Sequence, residues 1–127
     1  MSEDKIDPGP DVPPPNLDKT IMYKASPYSD PSDSVMLRRY KDVLAKVVEM
    51  VKLGSLVYSP IVHSYHVAQE IPGSDSFSYW QEFDLIMLKR CDMLGILCME
   101  GWKDSIGIKT EIEFAEYHKI PIIYFYR

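Results

Sequence analysis

Residues 93–118 read MLGILCMEGWKDSIGIKTEIEFAEYH, and this stretch decides the fold. Residues 93–99 form a continuous apolar run, which is typical of a strand buried on both faces of a parallel sheet. The more polar residues 100–106 predict a loop, and residues 107–118 predict a helix. Because parallel strands need a crossover between them, a strand, a loop and a helix in this order predict an α/β domain.

The rest of the chain continues this alternation of strands and helices. Hydrophobic spacing predicts three further strands and two further long helices. The strands are predicted at residues 20–25, 55–59 and 120–126, and the helices at residues 36–51 and 76–90. A loop or short helix that carries His63 and His66 is predicted after the second strand.

The order of these elements predicts the topology of the sheet. Right-handed crossovers favour a parallel sheet with strand order 2-1-3-4, a small flavodoxin-like or Rossmann-like domain with helices on both faces. Ligands of such sheets bind beyond the carboxyl ends of the strands where the order reverses. We therefore expect the site to be built from residues 23–28 and 100–111.

Composition excludes several classes of protein. The 127 residues suit one domain, and 14 Lys+Arg against 19 Asp+Glu give a net charge of −5, which argues against a sequence-independent nucleic-acid binder. No apolar run approaches the roughly 18 residues of a membrane span. The acidic, proline-rich start does not resemble a secretory signal. Cys91 and Cys98 lie in apolar surroundings, so we expect reduced thiols in a cytoplasmic protein.

The N-terminal segment differs in composition from the rest of the chain. Residues 1–18, MSEDKIDPGPDVPPPNLD, hold five of the ten prolines and five acidic residues against one lysine. Such a segment has little to bury, so we expect a disordered, partly polyproline tail. Its PPP run could dock on an aromatic groove, although a solvated leader is the commoner role. The folded domain is predicted to span residues 19–127.

The loop before the last helix favours an anion. Asp104 or Ser105 is a candidate N-cap, and the free N–H groups around Gly107 could equally hold a phosphate. The chain has neither GxxxxGK[ST] nor GxGxxG, so no common nucleotide-binding loop is indicated. Glu111 follows about one turn into the helix, where the helix dipole is expected to keep its carboxylate ionised, as a nucleophile requires.

Several short segments, in order, resemble the nucleoside 2-deoxyribosyltransferase family and the related 2′-deoxynucleoside 5′-phosphate N-hydrolases. They are MYKASPY at 22–28, FD at 83–84 ahead of CD at 91–92, and DSIG with EIEFA within 104–115. A group of small bacterial and phage proteins with ASPYS, SPI-HS and GW-DS-G---E segments is a closer resemblance. The similarity covers about residues 20–126.

The resemblance implies roles for individual residues. In this family a glutamate attacks the anomeric carbon of deoxyribose, which implies that Glu111 is the nucleophile and Tyr23 its orienting partner. The family aspartate that works at the departing base matches Asp84. In the N-hydrolases a serine six residues before the nucleophile contacts the 5′-phosphate, and Ser105 has that spacing. The candidate substrate-binding residues are Ser26, Pro27, Tyr28, His63, Gly101, Trp102, Asp104, Ser105 and Gly107.

The resemblance implies hydrolysis of the N-glycosidic bond of a 2′-deoxynucleoside 5′-monophosphate. Hydrolysis is favoured over transfer because Ser105 matches the hydrolase-type position; no metal or organic cofactor is expected. We expect a small nucleoside or nucleotide as ligand and a homodimer that uses the second long helix. Glu113 replaces the glycine usual in the family, and residues 26–31 lack its Gly/Arg-rich phosphate segment. A transferase and a catalytically silent nucleotide-binding module remain alternatives, and the base preference is open.

Histidine and tryptophan residues near these segments allow other interpretations. His63 and His66 could suggest a metal pair, but no matching Cys or carboxylate cluster accompanies them, so we expect His63 at the pocket rim instead. The helical spacing of Trp80 favours core packing. For Trp102, which lies in the site loop, stacking on a base and packing in the core remain equal alternatives.

Overall fold

The structure is a computed structural model and describes residues 14–126. The strands are β1 Met22–Ala25, β2 Val57–Tyr58, β3 Met93–Cys98 and β4 Ile122–Tyr126. The helices are α1 Asp33–Lys52, α2 Pro60–Gln69, α3 Phe77–Arg90 and α4 Ile106–Tyr117, and a short 3₁₀ turn, Trp102–Asp104, precedes α4. The segment after the second strand is thus a helix. Most of the predicted tail lies outside the described residues.

The four strands form one parallel sheet in the order β2-β1-β3-β4, which confirms the prediction. Tyr23 of β1 is in register with Tyr58 of β2 on one side and with Leu94 of β3 on the other. Residues in register on parallel strands point to the same face, so the two tyrosines lie side by side. The carboxyl ends of β1 and β3, where the order reverses, form the crevice expected of such sheets.

Helices cover both faces of the sheet, as predicted. On one face, Tyr23 and Leu94 are fully buried against Leu88 of α3 and Ile108 of α4. On the other face, a smaller cluster contains Val43 of α1 together with residues that end or follow β3. Among residues 14–126, no helix combines the length and the apolar composition needed to cross a membrane.

A serine caps the N-terminus of each of the helices α1 to α4. The caps are Ser32, Ser59, Ser76 and Ser105, each of which accepts the backbone N–H three residues ahead. Ser105 is therefore the cap of α4, with its Oγ 3.2 Å from the nitrogen of Ile108, whereas Asp104 belongs to the preceding turn. An N-cap of this kind is worth about 1 kcal/mol and fixes where the helix begins, at the edge of the crevice.

Lys24 is buried on the face of β1 opposite to Tyr23. Only 2 % of the residue is exposed, and its Nζ lies 3.2 Å from the centre of the Phe125 ring. Burial lowers the pKa of this lysine to about 8. Because side chains alternate along a strand, the amine points away from the face that carries the two tyrosines.

Candidate active site

A cavity of about 500 Å³ opens at the carboxyl edge of β1 and β3. Its walls come from the loop after β1, from α2, from the connection between α2 and α3, from α3 itself, and from the start of α4. Seven predicted site residues line it, namely Ser26, Tyr28, Asp84, Asp104, Ser105, Gly107 and Glu111. The cavity therefore lies where the strand order predicted it.

Tyr23 and Glu111 form the most buried polar contact of the site. The Tyr23 hydroxyl donates a hydrogen bond to Oε2 of Glu111 over 2.5 Å, and the two residues are 0 % and 4 % exposed. Tyr23 comes from the middle of the sheet, and Glu111 lies on the same buried face of α4 as Ala115. His118, which shares this spacing, follows the helix and is exposed.

Glu111 was expected to be ionised, but its surroundings favour the protonated form. Burial raises the pKa of Glu111 to about 8; the hydrogen bond from Tyr23 works against this rise and the nearby Asp84 adds to it. The prediction that the helix dipole keeps this carboxylate ionised is therefore wrong. Glu111 is the sixth residue of α4, whereas the dipole acts mainly within the first turn, so the loss of hydration dominates.

Asp84 is a second buried carboxyl group at the same cavity. It lies in α3, is 6 % exposed, and its Oδ1 has no hydrogen-bond partner among the residues that the structure describes. Burial raises the pKa of Asp84 to about 7, so the group holds a proton for part of the time at neutral pH. The Oγ of Ser26 is also buried without a described partner.

Five predicted residues do not line the cavity; one of them, Tyr23, contacts it only through its hydrogen bond to Glu111. Pro27 is packed inside the protein, and His63 of α2 stacks on the ring of Phe83 at 5.3 Å between ring centres. Gly101 and Trp102 follow β3, but the 3₁₀ turn directs the indole toward β4. There Trp102 packs against the hydrophobic core and against Tyr124, with ring centres 5.7 Å apart.

Trp80 forms part of the cavity wall, so the prediction that it packs in the core is wrong. Its Nε1 donates to the backbone oxygen of Ser74 over 2.6 Å, which holds the connection between α2 and α3 against the pocket. The signal in the sequence was the spacing of four residues between Trp80 and Asp84, which places both on one helix face. Tyr65 and Phe77 are further aromatic residues of the lining that the sequence did not indicate.

Arg39 is a further residue that the sequence analysis missed. From α1, its Nη1 donates to the backbone oxygens of Tyr28 and Ser29 over 3.3 and 3.1 Å. Its Nη2 occupies the space beside Gly101, where an added Cβ would come within 2.7 Å. Arg39 therefore connects the two loops that follow β1 and β3. A basic residue within a helix carries no signal for such a contact.

The cavity is acidic. Its lining contains four carboxyl groups, those of Asp75, Asp84, Asp104 and Glu111, and within residues 14–126 no Lys or Arg side chain lines it. His66 lies elsewhere, with its Nε2 3.4 Å from the hydroxyl of Tyr40. In the described part of the chain, no three His, Cys, Asp or Glu side chains come together as a metal site would require.

A family model described as "Domain of unknown function (DUF1937)" matches residues 20–126. The chain belongs to the DUF1937 family. Among solved structures, the DUF1937 domain is similar to a 2-deoxyribosyltransferase from the psychrotolerant bacterium Bacillus psychrosaccharolyticus, with a TM-score of 0.56 and 21% identity. The match covers 84% of this chain and 72% of that chain, and it confirms the resemblance predicted from the sequence at the level of the fold. No curated protein sequence matches.

The raised pKa of Glu111 in this DUF1937 domain predicts a pH-dependent stability. The folded-state pKa of about 8 exceeds the ordinary 4.5, so ionisation opposes folding, and stability is lost as the pH rises from about 4.5 to 8. Glu111→Gln removes this charge while its amide oxygen still accepts from Tyr23. We expect the variant to raise the Tm at pH 8 by about 4 °C or more and to change it little at pH 4.5.

Thermal denaturation followed by circular dichroism checks this expectation. Glu113→Gln is the matched control, because Glu113 lies two residues away on α4 and is exposed. The control should leave the Tm nearly unchanged at both pH values. A Glu111→Gln variant that melts at or below the wild-type temperature at pH 8 would contradict the account of a destabilising buried carboxylate.

Proposed function

We propose that this protein cleaves the N-glycosidic bond of a 2′-deoxynucleoside or its 5′-monophosphate through a covalent intermediate on Glu111. The observation that carries the proposal is the buried Tyr23–Glu111 pair, whose glutamate lines the same cavity as Asp84, a carboxyl group with a raised pKa. Retaining glycosidic cleavage needs a carboxylate nucleophile and a proton donor. The fold shared with a 2-deoxyribosyltransferase supports deoxyribose as the sugar.

The two carboxyl groups divide the reaction between them. Tyr23 holds Oε2 of Glu111, which leaves Oε1 to attack C1′ of the sugar. As the new C–O bond forms, the bond between C1′ and the base nitrogen breaks, and Asp84 gives its proton to the departing base. A water molecule then attacks C1′, transfers a proton to Asp84, and releases the sugar and the free carboxylate of Glu111.

The reactive form carries one negative charge on the pair, with the proton on Asp84. Because the pKa of Glu111 (about 8) is above that of Asp84 (about 7), this form is the less populated of the two singly protonated forms. Tyr23 donates its hydroxyl to Glu111 and so favours the ionised form of that residue. Since the two groups interact, their pKa values of about 7 and about 8 belong to the pair. We therefore expect kcat/KM to rise and fall with pH around these two values.

Glu111→Gln should lower the release of free base at least about a thousandfold, because an amide cannot form the glycosyl ester. Incubation with each deoxynucleoside and each deoxynucleotide, followed by chromatography, measures the free base. Glu113→Gln on the same helix is the control and should retain wild-type turnover. A Glu111→Gln variant that keeps more than a tenth of wild-type turnover would place the nucleophile elsewhere.

Two observations favour different substrates. Ser105 favours a 5′-monophosphate, because its Oγ accepts from Ile108 and its hydroxyl hydrogen stays free to donate to a phosphate at the start of α4. The acidic lining favours a neutral deoxynucleoside, since no described Lys or Arg of the cavity would offset the charge of a phosphate. The monophosphate is the first candidate and the neutral nucleoside the second.

Ser105→Ala separates these candidates. A hydrogen bond to a charged group is worth about 1.5–3 kcal/mol, so the variant should depress kcat/KM for the monophosphate at least about tenfold more than for the nucleoside. Ser32→Ala is the matched control, because it removes the equivalent cap of α1 away from the cavity. Equal losses on both substrates would make Ser105 a helix cap only, and a wild type that prefers the nucleoside would establish the second candidate.

Hydrolysis, transfer and silent binding differ in the fate of the bound deoxyribosyl group. In a transferase, a second base takes the place of water and removes the deoxyribosyl group from Glu111. Adding a free base to the reaction then yields a new deoxynucleoside, whereas a hydrolase yields free sugar. A silent module binds the ligand without releasing base. The position of Ser105 supports hydrolysis, as the resemblance to the N-hydrolases implies.

We also propose a homodimer that pairs α3 with its copy. Tyr79, Phe83 and Ile86 are 52%, 40% and 51% exposed, and their spacing of four and three residues places them in one stripe along this helix. Large apolar side chains in one exposed stripe are typical of a surface that another protein covers. An isologous contact would bury the stripe of both copies at once.

Ile86→Glu should convert this dimer to a monomer, because the contact would bury an unpaired charge. Light scattering at micromolar concentration should give about twice the chain mass of 14.7 kDa for the wild type and the chain mass for the variant. Val51→Glu on α1 is the control, since Val51 is also about half exposed. A wild-type monomer with full activity would contradict the proposal.

A further inference from the structure

Tyr58 occupies the same place on β2 that Tyr23 occupies on β1. The two residues are in register on neighbouring strands, and their ring centres are 5.7 Å apart. Both side chains therefore lie on the sheet face beneath α3 and α4. Tyr23 binds Glu111 of α4, which raises the question of what the hydroxyl of Tyr58 binds.

The hydroxyl of Tyr58 and the Oδ1 of Asp84 are both buried, and neither has a hydrogen-bond partner within residues 14–126. The two groups are close enough that the carboxylate of Asp84 adds to the effect of burial and raises the pKa of Tyr58. A buried hydroxyl and a buried carboxyl oxygen are rarely left unpaired, because each would lose its hydration without replacement. One is a donor and the other an acceptor, so they can satisfy each other.

We propose that Tyr58 is the positioning residue of Asp84, and that its hydroxyl donates a hydrogen bond to Oδ1 through one enclosed water molecule. Enclosed waters commonly connect polar groups that are too far apart for direct contact. The inference rests on the proposed role of Asp84 as the acid. With Oδ1 held in this way, Oδ2 is the oxygen that carries the proton toward the base, and the charge left on Asp84 afterwards is stabilised.

The groups around Asp84 determine whether loss of the Tyr58 hydroxyl raises or lowers the pKa of Asp84. Tyr23 of β1, Tyr58 of β2 and Glu111 of α4 all interact electrostatically with its carboxyl group. His63 of α2 is next to Tyr58, with ring centres 5.9 Å apart. Burial raises the pKa of Asp84, and so would a negative Glu111, whereas a hydrogen bond from Tyr58 would lower it. Removing the Tyr58 hydroxyl should therefore raise this pKa further.

Tyr58→Phe tests the inference, because it keeps the ring and removes only the hydroxyl. The carboxyl titration of Asp84 can be followed by NMR on protein that carries ¹³C-labelled aspartate, with Asp84→Asn to assign the signal. We expect the pKa of Asp84 to rise by about one unit, and the basic limb of kcat/KM to move in the same direction. Tyr40→Phe is the control, because it removes a hydroxyl that contacts His66 outside the cavity.

The titration distinguishes positioning from simple packing. If the Tyr58 hydroxyl is unpaired, the phenylalanine variant should melt at a higher temperature with the Asp84 titration unchanged, and this result would overturn the inference. Because the NMR experiment uses the full chain without substrate, it gives an answer even if the wild type releases no base. Failure of base release would count against the proposed function, and an unshifted titration against the pairing of Tyr58 with Asp84.

Discussion

The hydrogen bond from Tyr23 to Glu111 connects the core of this fold to its cavity. The tyrosine is fully buried in the middle of β1, and the glutamate lies on the face of α4 that packs on the sheet. Burying a carboxyl group opposes folding unless the group is neutral or well paired. The position of α4, set at its start by the Ser105 cap, brings the pair together at the crevice where the strand order reverses.

Local patterns predicted most of the fold but only part of the site. Apolar runs, helical spacing and serine caps act over a few residues, so the strands, the helices and their order were readable from the sequence. The positions of the Trp80, Trp102 and Arg39 side chains depend on contacts between distant segments. An example is the hydrogen bond from Trp80 to the backbone oxygen of Ser74 in the α2–α3 connection. The raised pKa of Glu111 likewise follows from burial, which the first-turn dipole argument could not include.

The acidic lining affects both the proposed role of Asp84 as proton donor and the kind of ligand that the cavity can hold. A lysine or arginine beside Asp84 would lower the pKa of that carboxyl group and leave it ionised at neutral pH, so that it could no longer give a proton to a departing base. Among the described lining residues no such cation is present, and the pKa of Asp84 is about 7. The same lack of cations makes the cavity unfavourable for a phosphate, unless backbone N–H groups hold it.

Because backbone N–H groups would have to hold a phosphate in this cavity, the phosphate would bind at the start of α4. The N–H groups of a helix N-terminus attract an anion without a side-chain cation, and their effect falls off within the first turn. Glu111 is the sixth residue of α4 and lies beyond that range, so its pKa is governed by burial and by Tyr23. The attraction that would hold a phosphate at Ser105 therefore does not extend to the carboxyl group of Glu111, although both lie in one cavity.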